Sequence, residues 1–111
     1  MIQVRLAKTK RGSLRYCSSS GHAFFARKGS DIVCAAVSTL LRTTLLLLQE
    51  KKDLEVEVSL QKRGELFFKI INAEDEASLD FLQFAYAFLE KGLQSIEKDY
   101  PKHLSIAFFI E

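Results

Sequence analysis

Two side chains in this chain are of the types that make a nucleophile and its base. His22 lies in Gly21-His22-Ala23. Cys34 follows eleven residues after that alanine, in Gly29-Ser30-Asp31-Ile32-Val33-Cys34-Ala35-Ala36-Val37-Ser38. A thiol attacks a carbonyl only as thiolate, so it needs a base within hydrogen-bond reach and a setting that favours negative charge. The spacing predicts an imidazole just past a strand and a thiol in the first turn of a helix that starts near residue 31. Asp31 or Ser30 would cap that helix. Unpaired N–H groups at a helix start hold a thiolate below its ordinary pKa of about 8.5. They could also receive an oxyanion, the N–H of Cys34 among them. Asp31 opposes the thiolate if its charge points at the sulfur, and less so if its side chain caps the helix. Ser38 falls one turn beyond Cys34, on the same face. The other histidine, His103, follows Pro101 and reads as a surface residue. The other thiol, Cys17, lies on a strand and reads as structural. From residue types alone, an inert core cysteine and a solvated histidine are the commoner outcome.

The elements that must position this pair are legible in the patterning. Residues 2–7 alternate apolar and polar as a half-buried strand, residues 8–12 form a hairpin turn, and a second strand runs from about Leu14 to Ser19. A loop then reaches Ser30. Gly21 and Gly29 bracket it, so it could move as a flap carrying Phe24 and Phe25. The helix from about 31 to 50 is apolar nearly all round, through Ile32, Val33, Val37, Leu40, Leu41 and Leu45 to Leu48. Asp31, Ser38, Thr39, Arg42, Thr43 and Thr44 interrupt the run, which argues against a membrane span. A helix apolar on all sides is buried on both. A sheet covers one side, and a second copy of the chain is the simplest cover for the other. Residues 54–60 alternate strictly, Gln61 to Gly64 turn, and Glu65 to Ile71 return. A second helix, capped by Asp75 or a neighbour, runs to about Lys98. Leu82, Tyr86, Leu89, Leu93 and Ile96 form its core stripe. Phe81, Phe84 and Phe88 form a second stripe that is core, dimer surface or peptide-binding surface. Tyr100-Pro101 stops the helix, and a last strand spans Leu104 to Ile110. The order ββαββαβ predicts a two-layer α+β domain with two helices and a mostly antiparallel sheet.

Composition bounds the rest. The 111 residues make one domain, 1–111, with 48% apolar and 27% charged residues, ordinary for a soluble globular protein. Two cysteines are too few for a disulfide scaffold and fit a reduced, cytoplasmic setting. No CxxC pair or His/Cys cluster points to a metal, and no cofactor is expected. The N-terminus alternates in polarity and does not read as a signal peptide. The net charge of +2 is unevenly spread: residues 1–30 hold seven of the sixteen Lys and Arg and none of the fourteen Asp and Glu. A solvated hairpin accounts for that, and attraction to an RNA-rich or acidic partner is the functional alternative.

The stretch from Gly21 to Ser38 resembles the ribosomal-processing cysteine protease family (Prp): Gly-His-Ala, a short variable loop, then Gly-x-Asp-Ile-Val-Cys-Ala-Ala-Val-Ser. The resemblance runs the whole length and shares the element order, with residues 21–38 its most specific part. It implies a dimeric cysteine endopeptidase. Its substrate would be large ribosomal subunit protein twenty-seven, from which it removes a short N-terminal extension. It further implies Cys34 as nucleophile and His22 as general base, with Gly21 giving flap movement and Asp31 and Ser38 supporting the site. No third residue that orients His22 stands out, so the implication is a dyad. The family cuts after Phe-Phe and before Ala, and this chain's own loop reads Phe24-Phe25-Ala26. That loop either mimics the substrate or anchors the flap to apolar surface, and anchoring is the favoured reading.

Three other functions fit the residues. One is a non-catalytic ribosome-associated module that binds RNA or protein. It is disfavoured because Tyr16, Phe24 and Phe25 form no RNA-stacking pattern, so direct nucleic-acid binding is not expected. The second is a different thiol enzyme with the same Cys–His chemistry. The third is a dimeric structural protein with Cys34 buried.

Overall fold

The computed structural model describes residues 1–21, 28–59 and 65–111, and for residues 28–31 the backbone only. The turn expected at Gln61 to Gly64 lies outside the described residues. The elements are β1 (Ile2–Lys8), β2 (Leu14–Ser20), α1 (Lys28–Glu50), β3 (Glu55–Ser59), β4 (Leu66–Asn72), α2 (Glu76–Asp99) and β5 (Leu104–Ile110). The strands form one five-stranded sheet in the order β3-β4-β2-β1-β5. All neighbours are antiparallel except β1 and β5, which run parallel. The sheet is therefore mixed and mostly antiparallel, in an α+β fold. Each helix joins two strands that run the same way, β2 to β3 and β4 to β5, as a same-sense connection requires.

Alternation along the strands sorts the two faces of the sheet. Ile2, Val4 and Leu6 point to the helices, beside Cys17 of β2 and Phe68 and Ile70 of β4, and all are buried. The opposite face carries Arg5, whose guanidinium lies 4.9 Å from the Phe109 ring centre, and Tyr16, whose ring centre lies 6.1 Å from that of Phe67. The first hairpin turns at Gly12, at φ +92°, where the Thr9 carbonyl accepts the Gly12 N–H. That turn is docked on α2. Arg11 pairs with Glu76, Gln83 donates to the Arg11 carbonyl, and Ser13 donates to the Leu79 carbonyl.

On α1 the buried residues are Val33, Val37, Leu41, Thr44, Leu45 and Leu48, a single stripe at helical spacing. The Thr44 hydroxyl is satisfied by the Leu40 carbonyl at 2.8 Å. The segment Ile32–Glu50 is long and apolar enough to cross a bilayer by length and composition, but in this fold five of its apolar side chains belong to the core. The expectation of burial on both sides is not met within one chain: Ile32, Leu46 and Leu47 remain exposed. The helix also begins earlier than the Ser30 and Asp31 signals suggested. Both residues lie inside it and neither is its N-cap. Cap preference is a local tendency of about 1 kcal/mol, small beside the packing of a stripe this long.

Helix α2 follows its sequence signals closely. Asp75 is the N-cap and accepts the Ser78 N–H at 2.6 Å. Tyr100 closes the other end by donating its N–H to the Ile96 carbonyl, and Pro101 follows. Leu82, Tyr86, Leu89 and Leu93 are buried, Phe81 is half-buried, and Phe84 and Phe88 are exposed. The phenylalanine stripe is thus surface at its outer two members. The Ser78 hydrogen bonds hold the Asp75 carboxyl below its ordinary value of 3.8. A carboxylate with a lowered folded pKa adds stability above its unfolded pKa and loses it as pH falls through the folded value. Asp75→Ala is therefore expected to lower Tm at pH 7. The gap from wild type should hold down to about pH 4 and close below it, measured by thermal melts from pH 2 to 7.

Candidate active site

Cys34 is the seventh residue of α1 and not in its first turn. Its N–H therefore lies beyond the four unpaired groups of a helix start, and the expected support from those groups does not reach it. Gly29 is the second residue of the same helix. Asp31 is the fourth. His22, Phe24 and Phe25 lie outside the described residues.

The rotation of α1 fixes where the thiol sits. Val33 and Val37 are 0% and 3% exposed, and Cys34, packed against the core from the stripe's margin, is half-buried. At about 100° per residue, Ser38 follows on the same flank, and it is exposed. The opposite flank belongs to α2. There Ala35, Ala36, Thr39 and Leu40 face Gly92 and Ile96 across a groove of about 510 Å³. Leu40 nests against Gly92, where an added Cβ would lie 2.7 Å from its Cδ2. Cys34 and Ser38 thus share the side of α1 turned away from α2, and the groove is separate from them.

Cys17 contrasts with Cys34. It is 0% exposed between Leu6 and Phe68, and burial pushes its thiol up to about 12. A thiolate is not available there, as the sequence reading expected. His103 sits half-buried at the start of β5, where its carbonyl accepts the Ile2 N–H at 3.0 Å.

Gly21 ends β2 and directly precedes His22. Its φ of +88° is in the left-handed region, and an added Cβ would collide with the Met1 carbonyl. Two independent constraints thus require glycine at this position. The backbone exit from β2 is set by the neighbouring end of β1, which constrains the conformation of Gly21.

The family model for cysteine protease Prp matches residues 1–105. The chain belongs to the Prp cysteine protease family. The ribosomal processing cysteine protease Prp of Mycoplasma genitalium is 29% identical over 106 residues, covering 96% of this chain and 94% of that protein. Among solved structures, the essential ribosomal processing protease Prp of S. aureus, in complex with a substrate peptide, aligns with a TM-score of 0.80 at 20% identity, over 97% of this chain and 99% of that one. The same S. aureus protease with a covalently linked product peptide aligns at 0.73 and 21%, over 97% and 99%. SMU.848 of Streptococcus mutans aligns at 0.80 and 25%, over 100% of this chain and 96% of its own. Membership of this family makes the protein a cysteine protease by family, and the solved structures share its α+β fold. The sequence reading of residues 21–38 had named the same family.

The two thiols should separate cleanly in the native protein. Iodoacetamide at pH 7.5 is expected to modify Cys34 once and to leave Cys17 untouched until the chain is denatured, as read by peptide mass. Gly21→Ala should lower kcat/KM about 10²-fold, the scale of a misplacement near 1 Å at a reacting group. Unchanged turnover in that variant would show that the exit from β2 does not position the site.

Proposed function

We propose that this protein is the endopeptidase that trims the N-terminal extension of large ribosomal subunit protein twenty-seven, acting in the cytoplasm as a homodimer. The observation that carries this reading is the half-exposed Cys34 within a family match that spans nearly the whole chain. The S. aureus structure with a covalently linked product peptide supports a covalent mechanism for this reading.

In the proposed reaction His22 takes the Cys34 proton, and the thiolate attacks the scissile carbonyl carbon. The C–N bond breaks, His22 returns the proton to the departing amine, and a thioester remains. Water, deprotonated by His22, then hydrolyses the thioester and restores the thiol. Asp31 and Ser38 support the site, Ser38 from the same flank of α1 as the sulfur. Phe24, Phe25 and Gly29 belong to the substrate-binding side of this reading. Gly29 lies at the start of α1, next to the segment that carries Phe24 and Phe25. A phenylalanine-rich extension peptide is the expected ligand.

The test is incubation with full-length large-subunit protein twenty-seven from the same organism, read by intact mass. Wild type is expected to make one cut near the substrate's N-terminus. Cys34→Ser should make none, and His22→Ala should fall at least 10²-fold, the scale of general-base catalysis. No cut by wild type, on a substrate shown to carry the extension, would overturn the assignment. Salt-sensitive RNA binding that survives Cys34→Ser would then favour the non-catalytic module.

A further inference from the structure

At the end of the sheet where β2 gives way to the His22 segment lies a pocket of about 420 Å³ that the proposed mechanism does not use. Ser18 of β2 and Ser59 of β3 both pair with Phe67 of β4, so the three stand in one row across the sheet. Cys17 and Phe68 point to the helices, so by alternation this row faces the other way, with Ser20, Glu57 and Glu65 beside it. Gly21 follows Ser20 directly, and β2 leaves the sheet there.

The lining is suited to one kind of ligand. Phe67 is half-buried and supplies an aromatic surface, backed by the Tyr16 ring at 6.1 Å. The serine hydroxyls supply hydrogen-bond acceptors, and Glu57 and Glu65 supply negative charge. No Lys or Arg lines the pocket among the described residues. Lys69 stands across from Glu57 in the strand register but is not part of the lining. Neither carboxylate is in an ion pair among the described residues, whereas Glu76 is held by Arg11 and Glu111 lies near Arg15. Charge on an edge strand discourages pairing with another chain, and that accounts for Glu57 on β3. It does not account for Glu65, because β4 lies inside the sheet.

We propose that this pocket is a subsite for a lysine or arginine side chain of the protein substrate. The proposal rests on the reading above that the substrate is a ribosomal protein. A protein that takes its place in an RNA assembly is rich in Lys and Arg, because phosphate contacts supply much of its affinity. The stem of such a side chain packs on Phe67, and its cationic end meets the ring face and the two carboxylates. The same carboxylates repel an acidic side chain, so the pocket selects as well as binds. Cys34 lies on the helix layer, about two turns into α1, and the pocket lies on the open face. A substrate that touches both rounds the end of the sheet. At about 3.3 Å per extended residue, the cation sits several residues from the cut. Glu57 and Glu65 thus govern which substrate is held, and not the chemistry at the thiol.

Two peptides test this. One is taken from large-subunit protein twenty-seven and spans the cut with its nearest Lys and Arg residues. The other has those residues replaced by Gln. Binding to the full chain carrying Cys34→Ser is read by fluorescence anisotropy, and cleavage by wild type gives kcat and KM. The basic peptide is expected to bind about tenfold more tightly than the neutral one, an advantage lost at high salt. Glu57→Gln with Glu65→Gln should raise KM for the basic peptide by about the same factor, leave kcat unchanged and not affect the neutral peptide. Glu57→Lys with Glu65→Lys should reverse the preference, favouring a peptide with Glu at those positions. Equal affinity for both peptides would overturn the subsite and leave the protease assignment intact. So would a preference that survives both Gln substitutions, or an equal loss on both peptides. Selective binding without any cut would overturn the assignment and leave the subsite standing. Should the double variant fail to fold by circular dichroism, Glu65→Gln alone decides.

Discussion

The seating of α1 on the sheet is the constraint on which the rest depends. Val33, Val37, Leu41, Leu45 and Leu48 recur at intervals of four, four, four and three, and all five are buried. Each is worth roughly 1.5–3 kcal/mol of burial, so together they fix the rotation of the helix far more firmly than any local signal near its start. Cys34 is one residue past Val33 and therefore lands at the margin of the stripe. A slip of one residue would turn the helix by about 100° and move the thiol away from that margin. The half-exposed sulfur is thus a consequence of core packing. No separate feature has to hold it there.

The same sheet shows what full burial does to a thiol. Cys17 differs from Cys34 chiefly in being enclosed, and enclosure alone pushes its thiol up to about 12. A nucleophile that must ionise at neutral pH cannot sit there. The fold therefore divides its two cysteines by depth, one as core filler beneath the helices and one at the edge of the core. Because Cys34 is past the first turn of α1, the helix start is not what stabilises a thiolate, and in the proposed mechanism that burden falls on His22.

Legibility in the sequence followed the strength of the physical signal. Alternation located β1 and β3, and the turn and stop signals beside them marked β2, β4 and β5. Asp75 and Tyr100-Pro101 marked the limits of α2 because cap and stop are both satisfied there by real hydrogen bonds. The start of α1 was misplaced by three residues because Ser30 and Asp31 look like caps but lie within the first turn. Gly21 was recognised as special, but its second constraint, the Met1 carbonyl, comes from a residue twenty positions away that only the β1–β2 pairing brings close. The parallel pairing of β5 with β1, which leaves β5 as an edge, was likewise invisible to any local pattern.

The basic N-terminal stretch shows how a linear cluster can dissolve in three dimensions. Arg11 is paired with Glu76 and lies 3.7 Å from Asp80, at the hairpin tip. Arg15 donates to the Ile70 carbonyl and lies 3.8 Å from Glu111. The Lys8 ammonium sits over Tyr86 on the helix side, while Arg5 sits over Phe109 on the open face. These four cations are distributed over different surfaces and already engaged. Nucleic-acid affinity rests on many phosphate contacts made together, which requires cations on one continuous track. Among the described residues the front of the chain supplies no such track. Its charge ties the hairpin tip to α2, and the start of β2 to β4 and to the end of β5.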